Sequence, residues 1–280
     1  MDGVGLRAPA ADNPICPAVC PTLCRLIANF GTPIDTCLDV PGLPQSATGQ
    51  ATLYTGINAA QAMGRHMEGF PGPSLRALIK AGNLLMSLRG LNRRCRFADA
   101  YMADSIEQVR ARHFQSVTTV MALTCPETLA LQDDLRSNQA VCHDITRASL
   151  LEKGYTGSVI TPAQAAEHLI QIALAHDFTL FEFFLTDLAG HSRRFDQGTS
   201  TLALFDAFLS PLDRLAHETG LLFVLTSDHG NIEDMSHHSH TANPVPLVAF
   251  GPGAEVMLKN ARSLMDVTPR LVHLLTDKGL

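Results

Sequence analysis

The sequence predicts an α/β fold: a mostly parallel sheet with helices on both faces and a small inserted cap. Two observations carry this. Short apolar runs alternate with longer helix-like stretches, the pattern of strands joined by crossover helices. Two of the runs also stop at a carboxylate with a histidine close behind, Asp187 with His191 and Asp228 with His229. The carboxyl edge of strands in an open α/β sheet is where ligands bind.

The predicted strands are Ile34–Leu38, Phe181–Thr186, Leu221–Thr226 and Leu247–Phe250. Each is short, apolar and rich in branched or aromatic residues, as buried strands are. The predicted helices are Ser74–Leu88, Pro162–Ala175, Ser200–His217 and Val267–Leu275. Ser74 reads as an N-cap, and Thr161-Pro162 as a cap followed by the first helical residue. Residues 92–160 differ in texture, with Arg93, Arg94 and Arg96 followed by polar segments of weak periodicity. They read as a cap inserted into a core formed by residues 1–91 and 161–280. At the start, Asp2-Gly3-Val4-Gly5 has only Met1 before it, although a turn of this kind ordinarily follows an apolar strand. The first core strand is therefore expected to be missing, with Asp2 held by a fraying terminus.

With 280 residues the chain can bury a large core. A net charge of -6 argues against a nucleic-acid or anionic-membrane partner. No run approaches the roughly 18 uncharged apolar residues of a membrane helix. The start lacks a signal-peptide pattern, and seven cysteines without framework spacing suit a reducing cytosol. Cys16, Cys20 and Cys24 read as small apolar residues, because Pro17 and Pro21 interrupt any regular ligand row.

Asp187, His191, Asp228, His229 and His240 form a ligand set suited to one or two divalent cations, since carboxylate and imidazole match zinc and manganese. Asn231, Glu233 and Thr241 are candidates to orient those ligands. His237 and His238 share the loop but point differently from His240. A hydroxyl in Ser46-Ala47-Thr48-Gly49-Gln50, at a helix start, could act as a cation-activated nucleophile and receive a phosphate. His66 and the arginines Arg93, Arg94 and Arg96 are candidate substrate contacts; the alternatives are a surface or packing role for the histidine and a solvated basic loop for the arginines.

Together these pieces resemble the alkaline phosphatase superfamily, in particular its cofactor-independent phosphoglycerate mutase and phosphopentomutase branch. The matching segments are Asp2-Gly3-Val4-Gly5, the stretch around Ser46, Asp187-x-x-x-His191, Asp228-His229-Gly230-Asn231 and His240-Thr241 with Asn243-x-Val245-Pro246. Asp266-Val267-Thr268-Pro269 resembles the family's last helix. The resemblance implies a three-layer sandwich with two divalent cations, Mn2+ or Zn2+. Asp187, His191 and His240 would hold one; Asp2, Asp228 and His229 would hold the other, with the nucleophile beside them. It selects Ser46 over Thr48, because family nucleophiles keep a fixed spacing to a downstream pair, here Thr55-Gly56. It implies phosphoryl transfer on a small phosphorylated metabolite through a phospho-serine, by a phosphatase or a phosphomutase. A phosphodiesterase and a degenerate metal-binding scaffold are the alternatives. The mutases carry Ser-Glu-Val-Gly-His where this chain has Ser46-Ala47-Thr48-Gly49-Gln50, which speaks against strict phosphoglycerate mutase activity. The absence of the Pro and Arg that sulfatases need after their nucleophile speaks against a sulfatase.

Overall fold

The computed structural model describes residues 1–276. Among them are the short strands β1 (Gly31–Ile34), β2 (Cys95–Phe97), β3 (Ala100–Tyr101), β4 (Ala130–Leu131), β5 (Phe178–Leu180), β6 (Phe223–Thr226) and β7 (Val245–Phe250). β2 pairs with β5 and β3 with β4, both in parallel. β7 lies between β1 and β6 and is antiparallel to each. Among the described residues the strands thus form three pieces, β1–β7–β6 antiparallel and the pairs β2–β5 and β3–β4 parallel.

β7 is buried along its whole length, which makes it the centre of the layers. Its side chains alternate between faces, as a strand requires. Val245, Leu247 and Ala249 join one apolar core with Leu53, Leu75 and Leu85. Val248 and Phe250 join a second with Leu23, Phe205 and Phe208. Helices cover both faces, and this is the three-layer arrangement the sequence predicts.

Several boundaries differ from the prediction. The run at 181–186 is not a paired strand: β5 ends at Leu180, and the helix Leu185–Ser192 takes over. The ladder stops because the Asp99 carboxylate, not a backbone carbonyl, accepts the N–H of Glu182 at 2.8 Å. The first strand sits at Gly31–Ile34, before the Asp35 side chain turns the chain by accepting from Cys37 and Leu38 N–H. The helix expected over 74–88 is two, Pro73–Ala81 and Leu84–Gly90, divided at Gly82, with Asn83 capping the second by accepting from Met86 N–H. Pro73 is its first residue, so Ser74 lies inside the helix and does not cap it. The helix at Pro162–Leu174 has the predicted Thr161 cap, closed by a reciprocal bond from Gln164. The helix expected over 200–217 is longer, Phe195–Thr219, and ends at Gly220 with φ 68°.

Parts of residues 92–160 belong to the core. β2 belongs to the core through β5, and the helix Val117–Ala122 is buried in the first apolar core. A separate small cluster, including Leu135, Cys142 and Tyr155, is confined to 130–155. At the amino end, residues 1–10 form no strand. Met1 and Asp2 instead bridge two strand ends: the Met1 amine donates to Thr226 O at 2.8 Å and Asp2 N–H to Phe183 O at 3.0 Å.

The helix Pro21–Phe30 lacks a side-chain cap from its own sequence. Buried Asp206, from the long helix, replaces it by accepting from Leu23 N–H at 2.8 Å and Thr22 N–H at 3.2 Å. Asp206→Ala is expected to lower the unfolding free energy by about 2 kcal/mol in urea titration, the upper end of cap losses; a loss below about 0.5 kcal/mol contradicts this.

Candidate metal centre

The candidate residues come from four places in the chain that meet above the carboxyl ends of β5 and β6. Ser46 opens the helix Ser46–Thr55, whose Gly49 lets it approach the strand end closely; a Cβ there would lie 2.7 Å from Asp228 O. Asp187 and His191 are one turn apart on the helix Leu185–Ser192, so both face the same side. Gly190 between them lies within the helix. It admits Asn231, whose Oδ1 would be 2.6 Å from a Cβ there. Asp228 and His229 follow β6, and His240 returns on the same loop.

Ser46 Oγ lies 2.9 Å from His229 Nε2. That nitrogen is also 3.2 Å from Asp2 Oδ1, 3.6 Å from Asp228 Oδ2 and 4.0 Å from Asp187 Oδ1. On the other side, Asp187 Oδ2 is 3.3 Å from His191 Nε2, and Asp187 Oδ1 is 3.5 Å from His240 Nε2. His191 and His240 present their Nε2 atoms to each other at 3.0 Å. Asp187 therefore stands between two clusters, Asp187–His191–His240 and Asp2–Asp187–His229, each able to converge on one cation. Its place in both was not legible in the sequence.

The other ring nitrogens are fixed by backbone carbonyls: His191 Nδ1 by His238 O and His240 Nδ1 by Pro44 O, both at 2.9 Å. An N–H donated there leaves Nε2 with its lone pair free for a cation. His238 thus contributes its carbonyl, while His237 pairs with Asp234 at 3.6 Å. Asn231 Nδ2 donates to Asp187 Oδ1 at 2.6 Å and to Asp187 O at 3.2 Å. Gln50 Nε2 donates to Asp2 Oδ2 at 3.1 Å.

The electrostatics call for a cation. Asp2 and Asp228 are buried, and their Oδ1 and Oδ2 atoms, respectively, have no hydrogen-bond donor. Burial, then the charge of Asp228, pushes the Asp2 carboxyl up to about 8. Burial works against a charged His229, yet Asp228, Asp2 and Asp187 outweigh it and raise that imidazole to about 10. Burial and then His229 drive His240 down to about 4. Orphaned carboxylate oxygens beside imidazoles with aligned Nε2 atoms are a donor set that fits a divalent cation.

The remaining candidates lie elsewhere. His66 Nε2 is 3.2 Å from Val40 O. Arg93 donates to Leu275 O, Arg94 pairs with Asp177, and Arg96 holds Leu129 O and Asp134. Arg93 and Arg94 thus join residues 92–160 to the core, while the partners of Arg96 lie within 92–160. The sequence reading missed Gln50 as a ligand partner; its position one turn after Ser46 was the available signal.

Residues 152–278 match the model of the metalloenzyme superfamily. The chain has an alkaline phosphatase-like fold. In sequence it is similar to the 2,3-bisphosphoglycerate-independent phosphoglycerate mutase of Ehrlichia canis, 28% identical over 41% of this chain and 26% of that one. A mutase of the same description from Methanosarcina barkeri is 31% identical over 36% of this chain and 20% of its own. The matches thus span about a quarter or less of those relatives. In structure the chain is similar to the cold-active alkaline phosphatase of Shewanella sp., with TM-score 0.62 and 12% identity, covering 99% of both chains. The alkaline phosphatase of the Antarctic bacterium TAB5 gives TM-score 0.57 and 14% identity, over 98% of this chain and 96% of that one. The superfamily and the two ligand clusters together indicate divalent metal use.

Asn231→Ala removes the donor that orients Asp187. It is expected to weaken Mn2+ or Zn2+ binding about tenfold to a hundredfold in calorimetric titration. Unchanged affinity would remove Asn231 from the site.

Proposed function

We propose that this protein transfers phosphoryl groups of a small phosphorylated metabolite through a phospho-serine at Ser46, with two divalent cations, Mn2+ or Zn2+. The observation that carries this is Ser46 Oγ at 2.9 Å from His229 Nε2, beside the undonated carboxylate oxygens of Asp2 and Asp228. A serine hydroxyl in that company, at the amino end of a ten-residue helix, sits where both a cation and a phosphate are favoured.

Asp187, His191 and His240 would hold one cation; Asp2, Asp228 and His229 would hold the other, with Asp187 close to both. When bound, the cations would lower the pKa of the hydroxyl and stabilise charge on the phosphate oxygens. Ser46 Oγ forms a bond to phosphorus as the bond to the substrate oxygen breaks, and that oxygen leaves with a proton. Water or a retained substrate hydroxyl then takes the phosphoryl group from Ser46 and restores the serine. The names of the similar proteins, alkaline phosphatases and phosphoglycerate mutases, support both endings. We favour the phosphatase ending. Where the mutases carry Glu and His after the nucleophile, this chain has Ala47 and Gln50, and Gln50 is occupied with Asp2. Seven free cysteines fit a reducing cytoplasm, and among the described residues no helix is long and apolar enough to cross a membrane.

Ser46→Ala is expected to reduce hydrolysis of 4-nitrophenyl phosphate at least about a thousandfold, as loss of a nucleophile does. The bis-ester should be turned over far more slowly by the unaltered protein. Chelation should abolish the activity and Mn2+ or Zn2+ restore it. Full activity in Ser46→Ala would refute the nucleophile, and preferential diester turnover would refute the monoester substrate.

A further inference from the structure

A cavity of about 220 Å³ adjoins the cation cluster. It lies at the carboxyl edge of the β2–β5 pair, the edge where ligands of α/β sheets bind. Asp99 and Glu182 line it, each two residues beyond the paired residues Phe97 and Leu180. Tyr101, Phe184 and His143 give rings to its walls. The His143 ring lies nearly parallel to that of Phe184, with centroids 5.4 Å apart at 11°. Two contacts tie this cavity to the cations' ligands. Asp2 N–H bonds to Phe183 O, and the residues on either side, Glu182 and Phe184, are both in the cavity wall. Phe184 also precedes Asp187 by one helical turn, so the two share a face.

The cavity carries negative charge that its surroundings leave unanswered. Asp99 is 9% exposed. Its Oδ2 accepts the Glu182 N–H, and its Oδ1 receives no hydrogen bond from a described residue. The Glu182 carboxylate has a single donor, the Thr118 hydroxyl, for both of its oxygens. Burial, and then the charge of Glu182, pushes the Asp99 carboxyl well above the usual carboxylate range, and burial raises Glu182 to about 7. The Met1 amine attracts both, but burial depresses its own pKa. Arg112 lines the cavity too, yet its guanidinium is engaged away from the carboxylates. It lies 5.3 Å from the Tyr101 ring centroid and donates to Met102 O at 3.1 Å.

A hydroxyl placed here would satisfy Asp99 Oδ1 and leave the charge standing. A compact ammonium answers both needs, since it brings N–H donors and a positive charge, and aromatic faces attract it further. The neutral rings of the wall also exclude water from the pair, which strengthens it.

We propose that this cavity receives an ammonium group of the substrate, so that the phosphorylated metabolite is a phosphomonoester of a short amino alcohol. The proposal rests on the phosphoryl transfer proposed above and names its substrate class. Asp99 Oδ1 and Glu182 accept from the ammonium N–H groups, while Tyr101 and Phe184 flank it.

Calorimetric binding to the Ser46→Ala protein loaded with Mn2+ tests this, with 2-aminoethyl phosphate compared against propyl phosphate, a neutral chain of the same length. The amine is expected to bind at least about thirtyfold more tightly, the scale of a buried charge pair. Asp99→Asn, added to that protein, should cut the preference to about threefold or less, because Asn keeps an acceptor for the Glu182 N–H and loses the charge. In the chain with Ser46 intact, Asp99→Asn should leave kcat/KM for 4-nitrophenyl phosphate within about twofold and lower it for 2-aminoethyl phosphate at least about tenfold. Equal affinity for the two esters overturns the proposal. So does the loss of a bound equivalent of Mn2+ or Mg2+ in Asp99→Asn, which assigns the two carboxylates to a metal. A preference for the amine in binding, without turnover of 4-nitrophenyl phosphate, upholds the ammonium site and fails the phosphoryl transfer alone.

Discussion

Three carboxylates, Asp2, Asp187 and Asp228, converge on the Nε2 face of His229 in a space nearly closed to water. Their mutual repulsion is the constraint around which the rest of the site is built. In a poorly polarisable interior, unpaired charges of one sign cost several kcal/mol each. Protonation is one escape, and the raised Asp2 carboxyl shows the chain pushed towards it. A divalent cation is the other. It turns the repulsive set into ligands and needs no proton. The imidazoles are already prepared for that outcome, because Pro44 O and His238 O hold the Nδ1 sides of His240 and His191.

A further buried carboxylate keeps the set together without joining it. Glu233 accepts from Gly5 N–H and Asn231 N–H, each at 2.8 Å, from Asn243 Nδ2 at 3.1 Å, and from the Thr241 hydroxyl. Its four donors come from the amino end and from both limbs of the loop that carries His229 and His240. One side chain thereby fixes three backbone segments relative to one another. Because every donor aims at charge, these bonds are stronger than neutral ones. The glycines at 5 and 230 leave room for it, since a Cβ at either would fall within 2.5 Å of a Glu233 oxygen.

What the sequence disclosed follows from which signals are local. Strand-end carboxylates and the His240 loop were legible because apolar runs and polar breaks are properties of neighbouring residues. The Thr161 cap was legible for the same reason. The helix Leu185–Ser192 was not, because Phe181 to Thr186 read as one strand, and only Asp99, more than eighty residues away, ends the ladder there. The cap of helix Pro21–Phe30 comes from Asp206, more than 180 residues further along the chain. Asp187 between two clusters is a tertiary fact with no counterpart in spacing. The arginines illustrate the converse: a basic cluster in sequence disperses onto separate partners once the chain folds.

The helix Ser46–Thr55 connects the chemistry to a slot, the cavity of about 590 Å³ between β5 and β6. Ser46 at its first turn faces His229, Gln50 one turn on holds Asp2, and Leu53 and Tyr54 line the slot. Asp2 sits where these influences meet, with one carboxylate oxygen held by Gln50 and the other facing His229. Its backbone is anchored to Phe183 O and to the Thr186 hydroxyl. A shift of this helix against the slot therefore moves the serine and the Gln50–Asp2 pair together. Gln50 supplies a neutral donor at this junction, where the mutase pattern has an imidazole. A neutral amide can orient Asp2 without competing for a cation or carrying a proton to substrate. In the proposed reaction the helix thus positions Asp2 and Ser46 together.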